Sequence, residues 1–213
     1  MSTHVRVPVI DRSGSVSVGA HAGSSEGSLL VIGLAAVGFS VLYVVSDVIE
    51  LLQGGFSTTQ LALTYAAEAA IPLFVLGLYV AQQPRIGRLG LVAALAYAYT
   101  FVFFTTTVVY ALIDKTRDWN ALTSRFGAWV PVHSALMVIA GIAFGVAIMR
   151  ARVLPRWTGA VLILGMLLMA VASVLPDVAQ TVAASVRDLA FAGMGAALLG
   201  HGRLRRFWAR VQR

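Results

Sequence analysis

Apolar residues fall into six long runs, at about 29–52, 59–81, 89–113, 128–149, 157–175 and 179–200, separated by short polar links. At a rise of about 1.5 Å per residue, each run approaches the roughly 20 residues that a bilayer core requires. Lipid offers backbone amides no partner, and the runs are too long and continuous for barrel strands, so the pattern predicts helices. The links at 53–57, 82–85 and 150–156 are short, which predicts antiparallel neighbours. The tightest is Pro176-Asp177, where a re-entrant element would also fit. The expected fold is all-α: an integral membrane bundle of six transmembrane helices over 29–200.

The two ends of the chain differ. Residues 1–28 hold Ser, Gly and Val with scattered charge and no apolar period, which predicts a disordered cytoplasmic tail. The first apolar run is long enough to anchor the chain and does not resemble a cleaved signal. In 201–213, Leu204, Phe207, Trp208 and Val211 fall at i, i+3, i+4 and i+7. Arginines occupy all but one of the positions between. The segment predicts a basic amphipathic helix lying on anionic lipid, with Arg203, Arg205, Arg206, Phe207, Trp208 and Arg210 meeting the membrane surface. A frayed basic tail is the plainer alternative.

Composition supports this picture. Of 213 residues, 59% are hydrophobic and 12% charged, far too apolar for a water-soluble domain of this size. The formal charge is +7, but the arginines cluster in links and at the C-terminus, which points to a membrane surface and away from nucleic acid. With the N-terminus inside, twelve arginines lie inside, against Lys115, Arg117 and Arg125 outside. That bias predicts cytoplasmic termini and an even number of crossings. Trp119 and Trp129 would mark the outer interface, and Trp157 and Trp208 the inner one.

Several chemistries lack their residues. Cys is absent, which removes disulfides, thiolate metal sites and thiol nucleophiles. Only four His occur, and His133 and His201 belong to opposite faces, so no metal site and no cofactor are implied. A carboxylate site for a hard cation lacks any dedicated calcium loop. No Gly-Xaa-Ser-Xaa-Gly turn, phosphate loop or dinucleotide fingerprint is present, so no catalytic residue is assigned and the pattern argues against an enzyme.

The informative residues are the ionisable ones inside the runs, because a charge at a helix centre costs about 2.5–3.5 kcal/mol on insertion scales. They are Asp47, Glu50, Glu68, Arg187 and Asp188. Ser40, Tyr43, Asp47 and Glu50 share one face of the first run, Gln60, Thr64 and Glu68 one face of the second, and Thr181, Ser185 and Asp188 one face of the sixth. All lie in the outer half of the expected topology, with His133 and Thr105 to Thr107 at similar heights. This predicts an outward-facing polar pocket built from the first, second and sixth runs, with the third and fourth as walls. Asp47, Glu50, Glu68, His133, Arg187 and Asp188 are its candidate ligand- or proton-binding residues, and Glu68, the deepest acid, is the candidate for proton exchange. The alternative is structural: Arg187 neutralises one or two carboxylates, Tyr and Thr satisfy the rest, and His133 merely starts a helix after Pro131. Against it, four acids face one arginine.

Phe144-Gly145 through Arg152-Val153-Leu154-Pro155-Arg156-Trp157 to Gly165 resembles a group of small bacterial multi-pass membrane proteins, in which a glycine-rich helix leads into a Leu-Pro-Arg-Trp turn and another helix. Glu68 is similar to an acid such proteins often carry. The group has no established activity, so the resemblance implies an architecture and a bacterial plasma membrane without a chemistry. Gly141 and Gly145, and the Gly193, Gly195, Ala196 region, fit small-residue helix contacts. The expected function is small-molecule or ion handling, proton-coupled through Glu68. The alternatives are a scaffold or accessory subunit, and a membrane enzyme acting on lipid or isoprenoid. Expected partners are membrane lipids, anionic at the cytoplasmic face, together with a second copy or another membrane protein.

Overall fold

The computed structural model describes the backbone of residues 19–173 and 175–211, with side chains described from 27 to 200 apart from 174 and 177. Among the described residues there are seven helices and no strand: α1 (Gly19–Gln53), α2 (Thr58–Ala81), α3 (Gly87–Asp114), α4 (Trp119–Phe126), α5 (Trp129–Ala151), α6 (Arg156–Ala172) and α7 (Asp177–Val211). Each long helix packs mainly on its neighbours in sequence, and α7 returns to α1, so six helices close a ring. Successive helices run in opposite directions. One end of the ring therefore carries the α1–α2 link, α4 and the α6–α7 link, and the other carries the α2–α3 and α5–α6 links.

Among the described residues five segments are long and apolar enough to cross a membrane: Gly27–Gln53, Thr58–Ala81, Gly87–Asp114, Trp129–Ala151 and Val178–Gly200. The remaining apolar helix, α6, has 17 residues. It is about 26 Å long, a little under the usual hydrocarbon thickness. It stops at Ala172, short of the expected 175, because Pro176 disfavours helical backbone at the preceding residue. Leu175 N–H instead bonds Ala172 O at 2.9 Å.

Three boundaries differ from the sequence expectation. Helix α1 begins at Gly19, so 19–28, expected as tail, is helical; residues 1–18 of that expected tail lie outside the described residues. Adding a turn to an existing helix gains one hydrogen bond per residue fixed and needs no new nucleus. At the other end, the basic segment expected as a separate interfacial helix continues α7 without a break to Val211. Gly200 and Gly202 cost a helix only about 1 kcal/mol each, less than two new termini. The side chains of Arg203, Arg205, Arg206, Phe207, Trp208 and Arg210 lie outside the described ones. The third difference is α4, in a stretch read as a link. Asp118 caps it by accepting from Ala121 N–H at 2.8 Å. Leu122, fully buried, packs it onto Leu61, Val108 and Ala111.

The ring is closed most tightly where glycines meet. A Cβ on Gly33 would lie 2.9 Å from Gly195 O, and one on Gly195 would lie 2.6 Å from Gly33 O. Helices α1 and α7 thus touch backbone to backbone at a point that only glycine permits. Gly145 and Gly159 make the same reciprocal contact between α5 and α6. Around these crossings Leu78, Phe144, Ile148, Leu162 and Met194 fill the interior. The outer surface is also apolar, with Val31, Leu34, Val41, Val45, Val48 and Leu52 exposed along α1. Polar side chains are concentrated inside, at the other end of the ring.

Candidate functional site

At the end that carries α4 the helices part around a cavity of about 860 Å³. Helix α1 contributes Tyr43, Asp47 and Glu50, α2 contributes Gln60, Thr64 and Glu68, and α7 contributes Thr181 and Arg187. Phe101, Phe104 and Thr107 from α3, Ser134 and Met137 from α5, and Met166 and Met169 from α6 complete the wall. Trp119, Asn120 and Thr123 of α4 stand at the mouth.

Helices α1 and α2 are joined here by hydrogen bonds in place of apolar packing. Ser46 Oγ donates to Gln60 O at 3.0 Å and lies 2.6 Å from Thr64 Oγ1. Gln60 Nε2 donates to Glu50 Oε2 and to Thr64 Oγ1, each at 3.0 Å. One helical turn deeper, Tyr43 donates to Glu68 Oε1 at 2.8 Å. These bonds leave orphans. Glu68 Oε2 and Gln60 Oε1 are buried without a partner among the described residues. Asp47 lines the cavity with no hydrogen bond to a described residue.

The floor is built around Arg187, only 1% exposed. Its Nε and Nη2 donate to the two carboxylate oxygens of Asp188, at 2.9 and 3.1 Å. Adjacent helical residues diverge by about 100°, so this contact needs the arginine to fold back on its own helix. The fold places the guanidinium 4.6 Å from the centroid of the Tyr43 ring and 5.6 Å from that of Phe101. Nη1 faces Met169 Sδ at 3.8 Å. Gly165 makes room: a Cβ there would lie 2.7 Å from the Arg187 backbone nitrogen. One cation thereby touches α1, α3, α6 and α7. Beyond it, Tyr97, Phe101, Phe74 and Phe191 pack edge to face or tilted, with centroids 5.2 to 5.9 Å apart, and close the interior.

Of the residues singled out from sequence, Asp47, Glu50, Glu68 and Arg187 converge on the cavity. Asp188 is buried behind Arg187. His133 stands apart, in the seam between α3 and α5. Its ring stacks on Phe103 at 3.7 Å, its Nδ1 lies 2.8 Å from Trp129 O, and its Nε2 lies 3.2 Å from Tyr99 Oη. Of the three threonines, Thr107 lines the cavity, while Thr105 and Thr106 bond the carbonyls of Phe101 and Val102. Sequence reasoning missed Ser46, α4 and the methionines. Ser46 does lie at helical spacing from Tyr43 and Glu50, and Asp118, Leu122 and Phe126 carry a capping residue and an i, i+4 pair. For Met137, Met166 and Met169 no sequence signal separates a cavity wall from a core.

No family model matches this chain, nor does any curated protein or solved structure. Fold and site define its class on their own. The described residues form an all-helical bundle with five helices long and apolar enough to cross a membrane, compatible with a multi-pass membrane protein, and with a polar cavity at one end.

Proposed function

We propose that the chain is a six-crossing protein of a bacterial plasma membrane, with both termini cytoplasmic, that holds a small molecule or ion in an outward-facing cavity and exchanges a proton through Glu68. The observation that carries this reading is the buried Glu68 at the cavity wall, with one oxygen held by Tyr43 and the other left unpaired. An unpaired buried carboxylate oxygen costs stability unless a proton or a ligand meets it.

A sixth crossing by α6 is supported by its position between α5 and α7, and its 17 residues, apolar beyond the first turn, lie at the lower limit for a span. The orientation is supported by charge. Arg85, Arg88, Arg150, Arg152 and Arg156 are exposed at the end away from the cavity, while Lys115, Arg117 and Arg125 are at the cavity end. Under the positive-inside rule the cavity opens outward, and the basic continuation of α7 meets the anionic cytoplasmic leaflet.

The absence of Cys makes the test clean. In intact cells a membrane-impermeant maleimide should label Asn120→Cys and leave Arg85→Cys unlabelled; the reverse pattern overturns the orientation. Native mass spectrometry of the purified protein should show a bound small molecule that Glu68→Gln loses. Equal occupancy in the variant removes Glu68 from the site.

A further inference from the structure

We infer that the cavity takes a monovalent organic cation: a primary ammonium or guanidinium carried on an apolar body of one or two rings. This rests on the reading of the cavity as a small-molecule site and adds the class of ligand.

The first support is the kind of group left unpaired. Glu68 Oε2 and Gln60 Oε1 are both acceptors, both belong to side chains more than nine-tenths buried, and both side chains line the cavity; the Thr123 hydroxyl, also unpaired on the lining, can accept as well as donate. Their donor counterparts are already used: Gln60 Nε2 makes two hydrogen bonds, and the Tyr43 hydroxyl is spent on Glu68. A matching ligand must therefore bring N–H or O–H donors. Such a group, seated between α1 and α2, would meet two acceptors that the fold itself leaves unsatisfied.

The second support is charge. Arg187 is the one cationic side chain among the described residues lining the cavity, and Asp188 holds it in a two-point ion pair. Asp47 and Glu68 remain as carboxyls on the same wall. An anionic ligand would face both at short range. A cationic one supplies the counter-charge that a site partly shielded from water otherwise lacks beside them.

The third support is size and lining. Among the described residues no group of three His, Asp or Glu side chains is arranged to hold a metal ion. A cavity of about 860 Å³ is also of the size that encloses drug-sized molecules. Facing the acids are Phe104, Trp119, Met137, Met166 and Met169. Phe104 and Trp119 have centroids 6.3 Å apart at the mouth. Aromatic faces attract cations, and methionine adapts to irregular apolar bodies. The acid wall thus reads the charged end, and the opposite wall takes the rings.

Three probes of nearly one shape test this: 2,2-diphenylethylammonium, 2,2-diphenylethanol and 2,2-diphenylacetate. Their binding is measured by equilibrium dialysis against the full chain in phosphatidylcholine nanodiscs, with empty discs subtracted, so that lipid charge and partition do not contribute. The ammonium should bind about tenfold or more tightly than the alcohol, and the carboxylate least. Glu68→Gln and, separately, Asp47→Asn should each weaken the ammonium about tenfold and the alcohol clearly less, and equal losses for the two probes overturn the ionic role of these acids; the pair guards against one variant failing to fold. Equal binding of ammonium and alcohol, abolished by the cavity-filling Met137→Trp, overturns the cation assignment and leaves the small-molecule site standing. Preference for the carboxylate overturns it too. No binding of any probe above empty discs overturns both.

Discussion

At the end away from α4, helices α1 and α7 touch through Gly33 and Gly195, and aliphatic side chains fill what space is left. At the other end the same two helices, with α2, stand off around hydrogen-bonded polar side chains and about 860 Å³ of open cavity. The contrast shows what decides closeness when the surroundings are apolar. Lipid tails are as oily as leucine, so burying aliphatic surface does not by itself pull helices together. Small residues let backbones meet, whereas polar side chains hold them at the distance their hydrogen bonds require. The closed end gives the ring its shape, and the open end gives it a chemistry.

The largest expected loss comes from removing the cation at the junction of the two ends. Arg187→Met strands Asp188 in the interior and should cost about 3–5 kcal/mol, read as a lower midpoint of thermal unfolding. Arg187→Met combined with Asp188→Leu should recover much of that loss, because the charge that remained is gone; no recovery would mean that the arginine acts by packing. Next comes the closed end. Gly195→Leu drives a side chain into the Gly33 carbonyl and should cost up to about 3 kcal/mol, while cysteine accessibility at the α4 mouth stays as it was. If the mouth changed as well, the two ends would not be independent.

Smaller changes test the open end. Tyr43→Phe removes the donor to Glu68 and should cost about 1–2 kcal/mol, partly restored by Glu68→Gln in the same chain, which lowers the penalty of an unpaired carboxylate. Ser46→Ala breaks one α1–α2 tie and should cost about 0.6 kcal/mol, the usual size of an interhelical hydrogen bond in lipid. A loss at Ser46 as large as that at Gly195 would contradict the division drawn between the ends.

Much of this was legible along the chain. Each of the six apolar runs appears as a helix, five of them long and apolar enough to cross a membrane, and the faces carrying Asp47, Glu50 and Glu68 turn to one cavity. Gly145 and Gly195, noticed as small residues, lie at two helix crossings. His133 marks the limit. Depth along a helix follows from residue number, but the direction of a side chain around the bundle depends on which neighbour each helix takes. His133 has the right height and faces Phe103 and Tyr99 in a seam. Arg187 was legible as a buried charge, yet its partner is the adjacent Asp188, which helical spacing would turn away. A flexible side chain long enough to fold back defeats a rule written for Cβ directions.

By itself the sequence determined that a helix forms along each of the six apolar runs and at which heights the interior is polar. These follow from the 1.5 Å rise and the cost of unpaired groups, and both act locally. Tertiary structure alone decided that α7 closes on α1, that α4 caps the open end, and that Asp188 and not a distant acid neutralises Arg187. The first two depend on shape matching between segments far apart in the chain, and the third on how Tyr43, Phe101 and Gly165 surround the folded arginine. No period in the residues encodes that, because the helices choose partners by how closely their backbones and polar groups fit.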